Sequence, residues 1–220
     1  RKNNGGIKKM VEIIPQNHFE VNSYVLFDET KECVLVDVCS QGALQEREII
    51  NFIEQHSLKV KHILLTHPHV DHLCGSAFAY KQFSLPITMS IDAVKMFQTA
   101  ESQASMMGFE LGDFENVEIK TIMPGDVIEF GNSKIECLDT AGHCVGSLSY
   151  YNAKEKYIIT GDALFAQSIG RTDLPTGDLD QLLSNIKEKI LTLPEETKVY
   201  PGHGPYSTVD YEKTHNPFLL

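Results

Sequence analysis

Between Leu64 and Gly75 the chain reads LLTHPHVDHLCG, so three histidines and an aspartate (His67, His69, Asp71 and His72) follow directly on a short apolar run. No other stretch constrains the fold as tightly. The run "KHILLT" reads as a short buried strand, and "DHLCGSAFAYKQF" behind it as a helix with Asp71 near its start. The polar cluster therefore falls where a strand hands over to a helix, the position that α/β folds expose to a cleft. His67 and His69 alternate, so an extended loop points both the same way. Asp71 and His72 are adjacent and diverge at a helix start. Two ligand sets facing two neighbouring points is the expected outcome. Imidazole nitrogen and carboxylate oxygen suit Zn, and equally Fe(II) or Mn(II).

The flanks carry the same grammar. "MVEII", Val21 to Asp28 and Glu32 to Val38 are β-branched runs separated by turn-prone residues. Ala43 to His56 places Leu44, Ile49, Ile50, Phe52 and Ile53 at near-helical spacing. From about Ser90 to Glu115 the chain is mixed, with a helix expected over "IDAVKMFQTA". Strands return in "VEIKTIM", in a hairpin "DVIEFGNSKIECLDT" turning at Gly131–Asn132, in "SLSYYNA" and in "KYIITGDALF". "LDQLLSNIKEKILTL" is an amphipathic helix with Asp178 or Asp180 as its cap, and "KVYPGHG" is a last strand. The order predicts a layered α/β fold with two halves of similar make-up, one domain over residues 10–220. Residues 1–9 read as a leader or a remnant of cloning.

A chain of 220 residues buries a core without staples. Its net charge of −11 argues against a nucleic-acid partner, which calls for clustered Lys and Arg. Five scattered cysteines with no C-x-x-C pair suit free thiols in a reducing compartment, hence a cytoplasmic location. No apolar run has the length to span a bilayer. A small-molecule substrate is the expected partner.

Three further ligand-type residues follow strand-like runs: His143 in "DTAGHCVGS", Asp162 in "YIITGDALF" and His203 in "VYPGHGPYST". With the first cluster they make five histidines and two aspartates, enough for two metals that share a carboxylate. His18, His56, His62 and His215 stand alone and read as surface or hydrogen-bonded residues.

"THPHVDH", "AGHCVGS", "TGDALF" and "PGHGP" resemble the successive signature motifs of the metallo-β-lactamase superfamily, from about Met10 to about Leu220. The resemblance implies a four-layer αβ/βα sandwich. It implies that His67, His69 and His143 bind one divalent metal, that Asp71, His72 and His203 bind a second, and that Asp162 bridges both. Asp71 and Asp162 are then the catalytic carboxylates, and the metals are zinc first, iron or manganese as alternatives. Such a pair lowers the pKa of a bridging water, and the hydroxide attacks a carbonyl.

The chain departs from true β-lactamases, which usually lack the His after the motif's Asp and carry Cys where Asp162 stands. "SIGRTDLPTGD" instead resembles glyoxalase II-type enzymes and their persulfide dioxygenase relatives. The expected activity is hydrolysis of a thioester such as S-lactoylglutathione, or of a related ester. A mononuclear-iron persulfide dioxygenase is the alternative, followed by a lactonase or phosphodiesterase. Full-length hydroxyacylglutathione hydrolases add a helical domain that grips glutathione, whereas some seventeen residues follow His203 here. Arg171 and Asp173 read as a buried pair bracing the loop after Asp162, with Arg171 facing the substrate as the alternative, and Met106, Met107 and Phe109 read as core, with an adaptable apolar wall as the alternative. Tyr206 either lines the pocket or packs, and Cys74 and Cys144 are packing residues.

Overall fold

The structure, a computed structural model, describes residues 10–220, so the expectation about residues 1–9 lies outside it. One sheet runs in chain order: β1 (Val11–Gln16), β2 (Val21–Phe27), β3 (Glu32–Val36), β4 (Lys59–Leu64), β5 (Ile87–Ser90) and β6 (Ile119–Ile122). Its first three strands are antiparallel, and β3 to β6 are parallel. Parallel neighbours need crossovers. These are supplied by α1 (Ala43–Gln55), by α2 (Val70–Leu73) with α3 (Ser76–Phe83), and by α4 (Val94–Phe97) with α5 (Ala100–Met107).

The second half contains β7 (Val127–Phe130), β8 (Ser133–Asp139), β9 (Leu148–Asn152), β10 (Tyr157–Gly161), a small hairpin of β11 (Leu164–Phe165) and β12 (Ser168–Ile169), α6 (Leu179–Asn185), β13 (Lys198–Pro201), β14 (Ser207–Thr208) and α7 (Val209–His215). Its sheet has the order β14-β13-β10-β9-β8-β7, with β10 and β13 parallel.

Alternation along the strands builds the layers. Tyr24, Leu26, Val34, Val36 and Leu64 point inward and meet Phe130, Ile135, Tyr150 and Ile159 of the other sheet. Their neighbours Val25, Cys33, Leu35 and Ile63 point outward and pack on Ile49 and Ile53 of α1 and Leu73 of α2. On the far side Ile158 and Val199 meet Leu182, Ile186 and Ile190. Central strands such as β2, β3, β9 and β10 are covered on both faces and buried nearly throughout, whereas β7 and β8 alternate buried and exposed residues. The result is the helix–sheet–sheet–helix sandwich expected from the sequence. Among the described residues no helix is long and apolar enough to cross a membrane.

Local differences from the sequence reading have physical causes. The helix expected from Asp71 breaks into α2 and α3 at Gly75, whose N–H donates to the Val38 carbonyl at 3.1 Å. A Cβ there would lie 2.7 Å from both Val38 O and Ser40 Oγ, so the chain passes too close for any side chain. The segment from Ile91 is likewise split, into a 3₁₀ turn capped by Ser90 Oγ, then α4 and α5. Asp178, not Asp180, caps α6 through the N–H of Gln181 at 2.9 Å, and the helix closes in a π turn. The short strands β5, β12 and β14 and the helix α7 went unread.

Candidate metal centre

The parallel strands β3 and β4 of one sheet, and β10 and β13 of the other, all end at one rim of the sandwich. The rim is laced shut: Leu148 N donates to Thr66 O at 2.9 Å, and Tyr150 Oη donates to Leu65 O at 2.7 Å. Onto it the structure brings all seven residues singled out in the sequence. His67, His69 and His143 each offer a ligand atom within 4.8 Å of the others, as do His67, His72 and Asp162, and Asp71, His72 and His203. Asp162 stands between the groups: Oδ1 is 3.2 Å from His72 Nε2, and Oδ2 is 3.7 Å from His143 Nε2 and 3.6 Å from His203 Nε2. Asp71 Oδ2 lies 3.4 Å from His203 Nε2.

Four of the five imidazoles are aimed from outside, while His69 turns its Nδ1 inward to 2.9 Å from His143 Nε2. His72 Nδ1 lies 2.9 Å from Asp37 Oδ2, His143 Nδ1 2.7 Å from Arg171 O, and His203 Nδ1 3.0 Å from Phe19 O. His67 Nδ1 lies 3.0 Å from Thr66 Oγ1, which itself donates to Asp37 Oδ2 at 2.7 Å. Each of these outer atoms is an acceptor, so Nδ1 of these four rings carries a proton and Nε2 is the nitrogen turned towards the centre. His67 Nε2, His69 Nε2, His72 Nε2 and Asp162 Oδ1 are buried with no hydrogen-bond partner. Buried polar atoms without partners are rare, and three of these belong to His67, His72 and Asp162, whose ligand atoms lie within 4.8 Å of one another and fit a bound cation.

Electrostatics point the same way. Burial, then neighbouring imidazoles, hold His67 well below the usual histidine value. Burial and His143 bring His69 down to about 4. Burial opposes charge on Asp71 and Asp162, but the facing imidazoles, His72 first, outweigh it and keep both below the usual carboxylate range. His72 is desolvated too, yet Asp162 and Asp71 raise it strongly. A proton on His72 thus takes the place that a cation would occupy. Neutral imidazoles and ionised carboxylates are the forms that ligate metal.

Several site residues escaped the sequence reading. Asp37 is buried, sits at the end of β3 with φ +51, and orients His72 and Thr66 together. Its signal was a carboxylate closing the apolar run "VLVDV". Asn22 donates to the carbonyls of Pro201 and Gly204 at 3.1 and 2.9 Å, and Tyr24 Oη to Pro201 O at 2.5 Å, fixing the turn that carries His203. Asn17 Nδ2 donates to Asp71 O at 2.8 Å. Polar residues in otherwise buried strands were the available clue.

Some expectations change. Arg171 and Asp173 do pair, through two 2.7 Å bonds, but with side chains 61% and 68% exposed rather than buried, because the loop runs over the surface. Met106 and Met107, at the end of α5, are exposed rather than core, whereas Phe109 is buried and stacks on Phe19. Tyr206 is exposed beside Tyr200. Cys74 and Cys144 are buried, and burial pushes both thiols up to about 12, as packing residues require. All five cysteines are free.

Fold and ligand geometry together define a metallo-hydrolase of the αβ/βα type. The metallo-beta-lactamase superfamily model matches residues 17–203, and the chain belongs to that family. It is 35% identical to hydroxyacylglutathione hydrolase GloC of Haemophilus influenzae over 95% of this chain and 97% of that one. Among solved structures it is similar to BLEG-1 B3 metallo-beta-lactamase, with TM-score 0.83 and 32% identity over 96% of this chain and all of that one. TTHA1623 in a di-iron-bound form gives TM-score 0.84 and 28% identity, covering 94% and 100%.

Proposed function

We propose that the protein is a dinuclear metal-dependent hydrolase of glyoxalase II-like type, cleaving a thioester such as S-lactoylglutathione or a related ester, and that residues 10–220 form its one catalytic domain in the cytoplasm. The observation that carries this reading is the position of Asp162, with one oxygen towards His72 and the other towards His143 and His203. His67, His69 and His143 would hold one ion, Asp71, His72 and His203 the other, with Asp162 shared. Bound divalent cations supply Lewis acidity, lowering the pKa of water and polarising a carbonyl oxygen.

The chain's own groups prepare the site for that chemistry. Asp37, Thr66 and the carbonyls of Phe19 and Arg171 keep protons on the outer nitrogens of His67, His72, His143 and His203, which leaves Nε2 of those four rings to face the ions. Asp71 and Asp162 are held below the usual carboxylate range by the facing imidazoles and stay ionised at neutral pH. Burial raises the Cys74 and Cys144 thiols, which argues against either as the nucleophile. Similarity to GloC supports the thioester; similarity to a di-iron structure keeps iron beside zinc as the metal.

The test is hydrolysis of S-lactoylglutathione by metal-loaded and chelator-stripped protein, alongside elemental analysis. Activity is expected to vanish on stripping, to return with zinc, iron or manganese, and to be nearly abolished in Asp71→Ala and Asp162→Ala. Equal rates with and without metal would overturn the reading. One iron per chain, with oxygen uptake on glutathione persulfide, would replace it with a mononuclear dioxygenase. Preference for a lactone, phosphodiester or β-lactam in the same panel would reassign the substrate.

A further inference from the structure

The C-terminal helix α7 buries a carboxylate whose partners are amides, not cations. Glu212 and Asn216, one turn apart, are both 0% exposed. Glu212 Oε2 accepts from the Asn216 side-chain amide at 2.8 Å and from the Gln167 backbone N–H at 3.0 Å. Asn216 Nδ2 also donates to Ser168 O at 3.1 Å, and Glu212 Oε1 is buried with no hydrogen-bond partner. Burying an uncompensated carboxylate is costly, and docking a short helix does not call for one.

What the pair grips is the tight turn between β11 and β12, where Gln167 holds φ +59. That hairpin leaves from Asp162 and returns to Arg171. Gly170 N donates to Ala163 O at 3.3 Å, and Leu164 and Ile169 pack with Val209 of α7. Directly after it, the Arg171 carbonyl lies 2.7 Å from His143 Nδ1. A backbone carbonyl can hold a ring only as firmly as its own segment is held.

We propose that Glu212 and Asn216 are positioning residues for the metal centre: they set the β11–β12 hairpin so that the Arg171 carbonyl keeps His143 in the Nδ1–H tautomer, with Nε2 turned inward, 2.9 Å from His69 Nδ1 and 3.7 Å from Asp162 Oδ2. The inference rests on the metallo-hydrolase reading, but its first readout needs no metal. Long-range ¹H–¹⁵N correlation spectra of metal-free, labelled protein report the tautomer of His143. Wild type and Glu212→Gln, whose amide oxygen preserves the acceptor, are expected to show the Nδ1–H form. Glu212→Ala and Asn216→Ala are expected to show a mixture. In chelator competition the two alanine variants should bind zinc about tenfold more weakly, with Glu212→Gln restored.

Should both alanine variants keep the Nδ1–H tautomer and bind zinc within twofold of wild type, the pair only docks the helix and the proposal is overturned. If Glu212→Ala does not fold, Asn216→Ala decides alone, since it leaves Glu212 bonded to Gln167. A wild-type chain that binds no divalent metal, yet loses the tautomer in Asn216→Ala, sinks the metallo-hydrolase reading and leaves the hold on His143 standing.

Discussion

Asp37 Oδ2 lies 2.9 Å from His72 Nδ1, and both residues are closed off from solvent. The same oxygen accepts from Thr66 Oγ1 at 2.7 Å, and Oδ1 accepts from the Thr66 N–H at 2.7 Å. One carboxylate thus aims two imidazoles of the first cluster, one directly and one through a hydroxyl. It also ties the end of β3 to the loop after β4. A non-glycine residue at φ +51 is strained by roughly 1 kcal/mol or more, which the three bonds to its carboxylate offset.

Replacing Asp37 with alanine therefore strips the acceptor from His72 and Thr66 at once. Outer partners of metal-binding histidines are worth about 10–100-fold in affinity, and that is the loss expected for zinc in chelator competition. Breaking the buried contact should also destabilise the metal-free protein by about 3–5 kcal/mol. Asp37→Asn, which keeps one oxygen, is expected to fall between. Zinc affinity within twofold of wild type in Asp37→Ala would remove Asp37 from the site.

Metal-free protein should have a stability maximum in pH. His67, His69 and His143 are held below the ordinary imidazole value of 6.5, His69 at about 4, with burial the largest cause. As pH falls from 6.5 towards 4 the unfolded chain takes up protons there and the folded chain does not, so stability is lost. His69 alone accounts for about 3 kcal/mol across that window. His72 and His203 are raised; their contribution is complete below 6.5 and is lost as pH climbs through their folded values. Asp71 and Asp162 are lowered, and their contribution is lost as pH falls below 3.8. Melting curves from pH 3.5 to 9 should peak near 6.5, and zinc should flatten the alkaline limb. A flat Tm between pH 4 and 6.5 would contradict this.

The seven converging residues were legible in the sequence because they stand in short polar breaks behind strand-like runs, as His67 stands after "KHILLT" and Asp162 after "YIITG". The layers were legible because β-branched runs such as β2 are separated by turn-prone residues and interleaved with amphipathic helices. What aims the ligands was not. Asp37 looks like the last residue of a strand, and Asn22 like a polar residue within one; only the pairing of β2 with the PGHG turn shows what Asn22 binds. The Phe19 and Arg171 carbonyls are backbone atoms, which leave no mark in a sequence at all. Gly75 reads as a weak helix residue until Val38 is placed against it.

Arg171 separates side chain from backbone. Its carbonyl holds His143, while its guanidinium pairs with Asp173 in solvent. An exposed pair contributes little to stability. Arg171→Ala keeps the carbonyl, so Tm and zinc affinity should match wild type. A raised KM with unchanged kcat would show that the guanidinium meets substrate; a fall in zinc affinity would show that the side chain, not the backbone, holds the loop.

Gly202 offers the sharpest steric test, because the second sheet brings its backbone up to the ligands themselves. A Cβ there would lie 2.1 Å from Asp162 Oδ1 and 2.6 Å from His72 Cε1. Gly202 N donates to Gly161 O at 2.7 Å, and Gly202 O accepts from Asn22 N at 2.7 Å, so the backbone is pinned from both sides. It has no room to retreat, and the carboxylate or the imidazole must move. Asp162 is proposed to serve both subsites, so Gly202→Ala should damage both rather than one. Overpacking of this kind costs about 1–3 kcal/mol in stability. Metal stoichiometry should fall towards zero together, not stepwise from two to one, and hydrolysis should fall with it. Full metal content in a folded Gly202→Ala protein would mean that Asp162 does not hold the position from which it is proposed to serve both ions.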